Sequence, residues 1–101
     1  MQNSPGKTKE NPILIEDWYA TMGSYFYNLE VNTQIHGIIK EHHRKDLSEK
    51  IDEEKGFPVY TSLVVEIDLE NNIVETMNTY YKLGKINSQY EKYLKEKEDG
   101  I

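Results

Sequence analysis

The chain has 101 residues with no cysteine, one arginine, three prolines and no long apolar run. Without cysteine it has neither a disulfide framework nor a thiolate ligand for a metal, and nothing argues for secretion. No segment approaches the roughly 20 apolar residues that cross a bilayer. Residues 1–12 also lack the apolar core of a signal peptide. We therefore expect a cytoplasmic protein that makes no contact with a membrane.

The net charge of −6 is unevenly distributed along the chain. Residues 46–101 carry thirteen acidic and seven basic side chains, whereas residues 1–45 carry five of each. Proteins that bind duplex DNA present a basic surface, so we do not expect duplex nucleic acid as a partner. An acidic surface can instead meet a basic surface on another protein, or it can serve solubility alone.

The length fits a single domain with one modest core. Residues 1–11 are polar and include Pro5 and Gly6, which predicts a flexible N-terminal tail. Residues 12–101 are predicted to form one small β-rich domain. Eight tyrosines and one tryptophan argue against disorder of the whole chain, because disordered chains are poor in aromatic residues.

The clearest structural pattern lies between Gly56 and Gly84. Side chains alternate from residue 59 to residue 67, which predicts one strand with one apolar face and one mixed face. That apolar face would consist of Val59, Thr61, Leu63, Val65 and Ile67. Residues 68–72 have the composition of a turn, so residues 73–83 are predicted to complete an antiparallel hairpin. A break in the alternation at residues 78–79 indicates either a β-bulge or a second tight turn.

The segments before this stretch have weaker patterns. Residues 16–22 are compatible with two helical turns in which Trp18 anchors the core. Residues 34–40 are predicted to form a strand, and Gly37 within it indicates a bulge or a close approach of another backbone. Residues 46–55 can form either a short helix or a solvated loop.

The last segment, residues 87–99, is predicted to be a helix that begins with a capping box of Ser88 and Glu91. Tyr90, Tyr93 and Leu94 form a narrow apolar stripe, so the helix should dock on the sheet or on another subunit. The complete prediction is an α+β fold. It consists of a small twisted antiparallel sheet of three to five strands, able to close into a barrel, and a C-terminal helix. A homodimer would protect the exposed edges of so small a sheet.

Residues in and around the hairpin match a sequence pattern. They are Gly56, Val59, Thr61, Ser62, Asp68, Val74, Thr76, Thr79, Tyr81, Leu83 and Gly84. With them the chain resembles a family of uncharacterised small proteins of phages and bacterial mobile elements. That family has the pattern D-G-x-x-V-x-T-S, followed by V-x-T-x-x-T-x-Y-x-L-G.

The resemblance covers residues 16–94. A second family segment, G-x-V-x-G-H-P-R, is matched at Gly37, His42 and Arg44, and the chain departs from it at Glu41 and His43. The resemblance implies a phage or mobile-element origin and a location in the host cytoplasm. It implies no mechanism.

Residues 40–45 form the one basic concentration in this acidic chain. The planar fork of Arg44 suits phosphate or carboxylate, and hydroxyl groups could add hydrogen bonds. The candidate ligand-binding residues are therefore His42, Arg44, Thr61 and Ser62. Alternatively, Arg44 pairs with the acidic residues that follow it and His42 satisfies a backbone group.

The sequence predicts no metal site, no cofactor and no catalytic centre. The three histidines have no recognised ligand spacing. Ser62 is not on a nucleophile elbow, and no glycine-rich loop could hold a phosphate group. Glu66 and Glu75 could face each other across the hairpin, but exposed carboxylates on strands are usually solvated.

We therefore expect a non-catalytic binding protein of phage or mobile-element origin that occupies a host protein. A defence enzyme or a nucleic-acid-handling enzyme would fit, as for anti-CRISPR proteins. The predicted partner-binding residues are Asp52, Glu53, Glu54, Glu66 and Glu75, which would meet a basic surface. One alternative is a sponge for a small phosphorylated ligand, such as a signalling nucleotide, at the basic cluster. Another is a structural accessory subunit.

Overall fold

A computed structural model describes residues 11–42 and 48–99. The predicted tail, except Asn11, and the segment that contains Arg44 lie outside these residues. The described elements are β1 (Ile13–Met22), β2 (Tyr25–Phe26), β3 (Gln34–Ile39), β4 (Phe57–Tyr60), β5 (Val64–Asp68), β6 (Ile73–Thr76), β7 (Tyr80–Leu83) and α1 (Ser88–Asp99). The predicted α+β class, with a sheet followed by a C-terminal helix, is confirmed.

The sheet has seven strands within residues 11–42 and 48–99, so the prediction of three to five strands is wrong. Its order is β4-β3-β1-β7-β6-β5, with β2 paired to β1. The sheet is mixed rather than purely antiparallel, because β1 and β7 run parallel. Strand β1 lies between β3 and β7. Because β7 comes much later in the sequence, local alternation carries no information about its pairing with β1.

The two ends of this strand order are connected by three residues, 61–63. In a flat sheet, five spacings of about 4.8 Å would place β4 and β5 about 24 Å apart. A three-residue connection spans at most about 14 Å, so the sheet must curl. It does not close into the predicted barrel, because the described residues form no ladder between β4 and β5.

The single strand predicted from residue 59 to residue 67 is therefore divided in two. At the break, the backbone N–H of Thr61 donates to the carbonyl oxygen of Ile35 at 2.9 Å, and that of Val64 donates to Thr33 at 2.8 Å. Val65 is then an extra residue in the pairing of β5 with β6. Since a shift of one residue moves side chains to the other face, Leu63 and Val65 are exposed and Val64 is buried. The predicted apolar face is wrong at these positions.

Residues 16–22 belong to strand β1, so the predicted helical turns are wrong. The pairing of β1 with β3 shifts between Glu16 and Tyr19, and Asp17 has a φ of 54°. Gly37 on β3 lies opposite this bulge, where the backbone of Glu16 approaches it closely. Of the two predicted alternatives, the close approach of another backbone is therefore confirmed. The buried indole of Trp18 donates from Nε1 to the carbonyl oxygen of Gly84 at 3.1 Å, which confirms its role in the core.

The predicted hairpin is present as the antiparallel pair β5 and β6. A second tight turn then leads into antiparallel β7, so the tight turn, not the bulge, is correct for residues 78–79. The hydroxyl of Thr76 organises this turn. Its Oγ1 donates to the carbonyl oxygen of Thr79 at 3.0 Å and accepts from the Thr79 N–H at 3.2 Å. Both residues are buried.

Helix α1 docks on the sheet through aromatic side chains. Tyr90 is fully buried, and its ring meets Trp18 edge-on at 5.8 Å and Phe26 at 5.4 Å. The N-cap is Asn87 rather than the predicted Ser88, because Oδ1 of Asn87 accepts from the N–H of Tyr90 at 2.9 Å. An asparagine one position earlier satisfies the same free N–H groups.

Candidate functional site

Three of the four candidate ligand-binding residues, His42, Thr61 and Ser62, belong to the described residues. His42 lines a cavity of about 290 Å³ with Lys50, Tyr60 and several apolar side chains. Thr61 and Ser62 do not line this cavity, and Arg44 lies outside the described residues. Among the described residues, His42 therefore lines a cavity that the two hydroxyls do not share.

Thr61 and Ser62 have structural contacts instead. Thr61 is 5% exposed, and its Oγ1 accepts from the N–H of Ile35 at 3.0 Å and donates to the carbonyl oxygen of Ser62 at 2.7 Å. Ser62 Oγ accepts from the backbone N–H of Asn78 at 3.2 Å. These hydroxyls stabilise the three-residue connection between β4 and β5.

Ser48 is helical, residues 49–51 and 53–55 form turns and a bend, and Asp52 pairs with Gly56 in an isolated bridge. From residue 49 onward the predicted segment is therefore a loop, whereas residues 46–47 lie outside the described residues. Asp52 Oδ1 accepts from the backbone N–H groups of Glu54 at 2.8 Å and Lys55 at 2.9 Å. Hydrogen bonds from the backbone of Lys55 and Glu54 lower the pKa of Asp52 below its ordinary value. Asp52 thus has a local role in the turn, whereas the side chains of Glu53 and Glu54 are exposed.

Glu66 on β5 and Glu75 on β6 are direct partners in the ladder, which confirms that they face each other across the hairpin. Glu75 is in turn the partner of Tyr80 on β7. All three line a small cavity of about 50 Å³ together with Asp68. Asp68 resembles Asp52, because its Oδ1 accepts from the N–H of Asn71 at 3.2 Å and holds the turn.

Exposed apolar side chains lie on the same hairpin and in the segments next to it. Val65 is 42% exposed, Leu69 at the hairpin turn is 67% exposed, and Met77 is 59% exposed. Leu63 is 39% exposed, and its carbonyl oxygen accepts from the backbone N–H of Met77 at 3.0 Å. We call the acidic pair with these four apolar residues the hairpin surface.

Sequence reasoning missed the apolar part of the hairpin surface. The alternation assigned Leu63 and Val65 to the core, and only the division of the strand turns them outward. Leu69 and Met77 lie at turns, where a large apolar residue is a signal that could have been noted. The two acidic groups are also far apart in the strand order, since Glu53 and Glu54 precede β4 at one end and Glu66 lies on β5 at the other.

Neither a family model, nor a curated protein, nor a solved structure matches the chain. The resemblance to small phage proteins therefore stays a prediction. In residues 11–42 and 48–99, no helix is long and apolar enough to cross a membrane. The same residues contain no group of three acidic or histidine side chains that could hold a metal ion.

Proposed function

We propose that this protein is a non-catalytic binding protein that engages a basic patch on another protein through its hairpin surface. The observation that carries the proposal is the direct pairing of Glu66 with Glu75. Like charges directly opposite each other on neighbouring strands are destabilising. Proteins keep such local conflicts mainly at functional sites.

A basic side chain of the partner would convert this repulsion into attraction. Side chains that face each other directly have Cβ atoms about 4.5–5.5 Å apart, so both carboxylates can reach one guanidinium group. Bonds between arginine and carboxylate are among the stronger hydrogen bonds in proteins. The apolar residues of the hairpin surface, such as Leu69 and Met77, would exclude water from the contact.

The position of β5 supports the same surface. This strand ends the strand order. At Val64 its outer edge is already bonded to residues 32–33, so a partner strand could bond only to the backbone groups that follow Val64. The acidic excess of residues 46–101 would also speed the encounter with a basic partner.

The resemblance to phage and mobile-element proteins supports a host protein as the partner. Enzymes that handle nucleic acids have basic binding sites, and an acidic protein that covers such a site would inhibit them. We therefore propose a nucleic-acid-handling or defence enzyme of the host as the target class.

The test is the variant Glu66→Lys. It should lower partner affinity at least tenfold, because it places a positive charge at the contact. It should also raise the free energy of unfolding by about 0.2–1 kcal/mol, because the introduced lysine and Glu75 attract each other. Glu53→Lys makes the same charge change in the turn before β4 and is the matched control. Glu53 was among the partner-binding residues predicted from the sequence, but it is not part of the hairpin surface. Unchanged affinity in both variants would favour a structural accessory subunit that assembles through another face.

The cavity beside His42 favours ligand binding as a second candidate function. Lys50 supplies a positive charge, and Ile39, Phe57 and other apolar side chains line the rest of the cavity. This combination suits a small amphipathic anion, such as a phosphorylated signalling molecule. Native mass spectrometry of the purified protein, followed by analysis of what denaturation releases, tests this candidate. Such a ligand should be lost in Lys50→Gln and kept in Lys55→Gln.

A further inference from the structure

A third cavity lies between β1, β2, β3 and the start of α1, on residues that the proposed protein-binding surface does not use. Its volume is about 360 Å³, which is enough for a small organic molecule. The side chains that matter for its chemistry are Tyr19, Thr21, Phe26, His36, Asn87 and Gln89. We call this cavity the aromatic groove.

Two polar atoms at the aromatic groove are buried without a hydrogen-bond partner among the described residues: Thr21 Oγ1 and His36 Nε2. Thr21 is only 5% exposed. The great majority of buried polar side-chain atoms in proteins have a partner, and each exception calls for an explanation. Two such atoms at one cavity indicate that something outside the described chain bonds to them.

The pairing of the strands places these atoms within reach of one molecule. Tyr19 is the ladder partner of His36, and Thr21 is the partner of Gln34. Thr21 and His36 are therefore diagonal neighbours, separated by about 7–8 Å. Because both atoms are buried, a single ring with hydrogen-bonding groups on its edge can contact them only after the side chains that cover them move aside.

Aromatic rings form a continuous row beside these polar atoms. Tyr19 and His36 are stacked with ring centroids 4.8 Å apart, and Phe26 meets Tyr19 edge-on at 5.4 Å. Tyr60 continues the row, 4.2 Å from His36. The ring planes are inclined by 71° between Tyr19 and Phe26 and by 52° between His36 and Tyr60, so the row is not flat. Another ring can stack on, or pack edge-on against, the parts of these rings that their neighbours leave uncovered.

None of the described residues that line the groove carries a formal charge at neutral pH. Burial lowers the pKa of His36, so its imidazole is neutral there. The Asn87 amide is already used, because Nδ2 donates to Asp17 Oδ1 at 3.0 Å and Oδ1 caps the helix. The side chains left to hydrogen-bond a ligand are those of Tyr19, Thr21, Ser24, His36 and Gln89. An uncharged lining in an acidic protein disfavours a phosphate group and favours a neutral ligand.

We propose that the aromatic groove binds an uncharged planar heterocycle of the nucleobase class. The ring stacks on the aromatic row, while its edge bonds to the Thr21 hydroxyl and to Nε2 of His36. The preferred ligand is the free base or nucleoside rather than the nucleotide, because a phosphate group finds no cation in the lining.

The test uses adenosine and uridine as probes, titrated into the ¹⁵N-labelled full-length chain and followed by NMR. At least one should give saturable shifts at residues 19–26 and 34–38. AMP or UMP should bind no more tightly than the matching nucleoside. Glucose serves as the probe for a sugar site. Glu66→Lys should leave nucleoside affinity unchanged, so this site and the protein-binding surface are tested separately.

Two matched threonine variants make the test sharper. Thr21→Val removes a hydroxyl that has no partner among the described residues, so it should raise the melting temperature of the free protein while it weakens nucleoside binding at least tenfold. Thr33→Val is the control, because the buried hydroxyl of Thr33 donates to the carbonyl oxygen of Glu30 at 2.6 Å. Thr33→Val should lower the melting temperature and leave the affinity unchanged.

Several outcomes would overturn the proposal. One is the absence of saturable shifts with both nucleosides at millimolar concentration in the folded protein. Another is tighter binding of glucose than of either nucleoside. A lower melting temperature in Thr21→Val would also contradict it, since the hydroxyl would then already have a partner in the free protein.

Discussion

Gly37 on β3 packs directly against Ile15 on β1. A Cβ atom added to Gly37 would lie 2.5 Å from Cγ1 of Ile15 and 3.0 Å from the carbonyl oxygen of Glu16. Separations this short force a displacement, and here the neighbours are a fully buried side chain and a backbone. The bulge of β1 at residues 16–19 thus depends on the absence of a side chain at residue 37.

Gly37→Ala should therefore destabilise the protein. We expect the free energy of unfolding to fall by about 1–3 kcal/mol, the usual range for an overpacked core, as measured by urea denaturation. Ile15→Ala opens space at the same point. In a double-mutant cycle, the combined loss should be smaller than the sum of the two single losses. Additive losses would mean that an alanine at residue 37 does not clash with the side chain of Ile15, which would contradict this explanation.

The helix cap gives a second prediction. Asn87→Ala removes the acceptor for the N–H of Tyr90 and should lower the free energy of unfolding by about 0.5–2 kcal/mol. Ser88→Ala, one residue later in the chain, should change it by less than about 0.5 kcal/mol. Thermal or urea unfolding of both variants measures this. A larger loss for Ser88→Ala would restore the capping box that the sequence predicted.

Tyr90 gives a prediction for alkaline pH. Burial, followed by repulsion from Tyr93, raises the pKa of Tyr90 to about 12 from its ordinary value of 10.0. Because the folded state holds the phenol proton more tightly, this stabilisation is fully present below pH 10 and is lost as the pH rises through 12. The free energy of unfolding should therefore fall between these pH values.

Tyr90→Phe should make that alkaline fall smaller. Some slope should remain, because burial also raises the pKa of Tyr81. At neutral pH the variant should lose about 1 kcal/mol, because the Tyr90 hydroxyl donates to the carbonyl oxygen of Tyr27 at 2.6 Å. Tyr25→Phe, at a side chain that is 79% exposed, is the control. Equal slopes for the two variants would contradict the account.

Local patterns in the sequence were enough to predict several elements. Turn chemistry at residues 68–72 predicted the hairpin, alternation predicted β3, and helical spacing predicted α1. The close approach at Gly37 was among the two alternatives predicted, because a glycine inside a strand pattern usually marks a bulge or a close approach of another backbone. Helical spacing around Trp18 was misleading. The real strand contains a bulge, and a bulge disturbs the period of two on which strand prediction depends.

The arrangement of strands and the candidate sites could not be predicted in the same way. Insertion of β1 beside β7 depends on contacts between residues almost 70 positions apart, which no local period encodes. The exposure of Leu63 and Val65 follows from a break and a bulge within one continuous apolar run. Thr21 and His36 come together only through the register of β1 with β3. By contrast, the pairing of Glu66 with Glu75 followed from the hairpin alone and was predicted.

The most direct test of binding through the hairpin surface compares partner binding by three forms of the protein. Wild type, Glu66→Lys and Glu53→Lys are each immobilised and exposed to lysate of the source cell or its host. Captured proteins are identified, and the affinity of the main one is then measured with purified components. We predict a basic partner that wild type and Glu53→Lys bind with equal affinity. Glu66→Lys should bind this partner at least tenfold more weakly, although its free energy of unfolding should be higher than that of wild type. Equal affinity of Glu66→Lys and wild type for that partner would contradict the account.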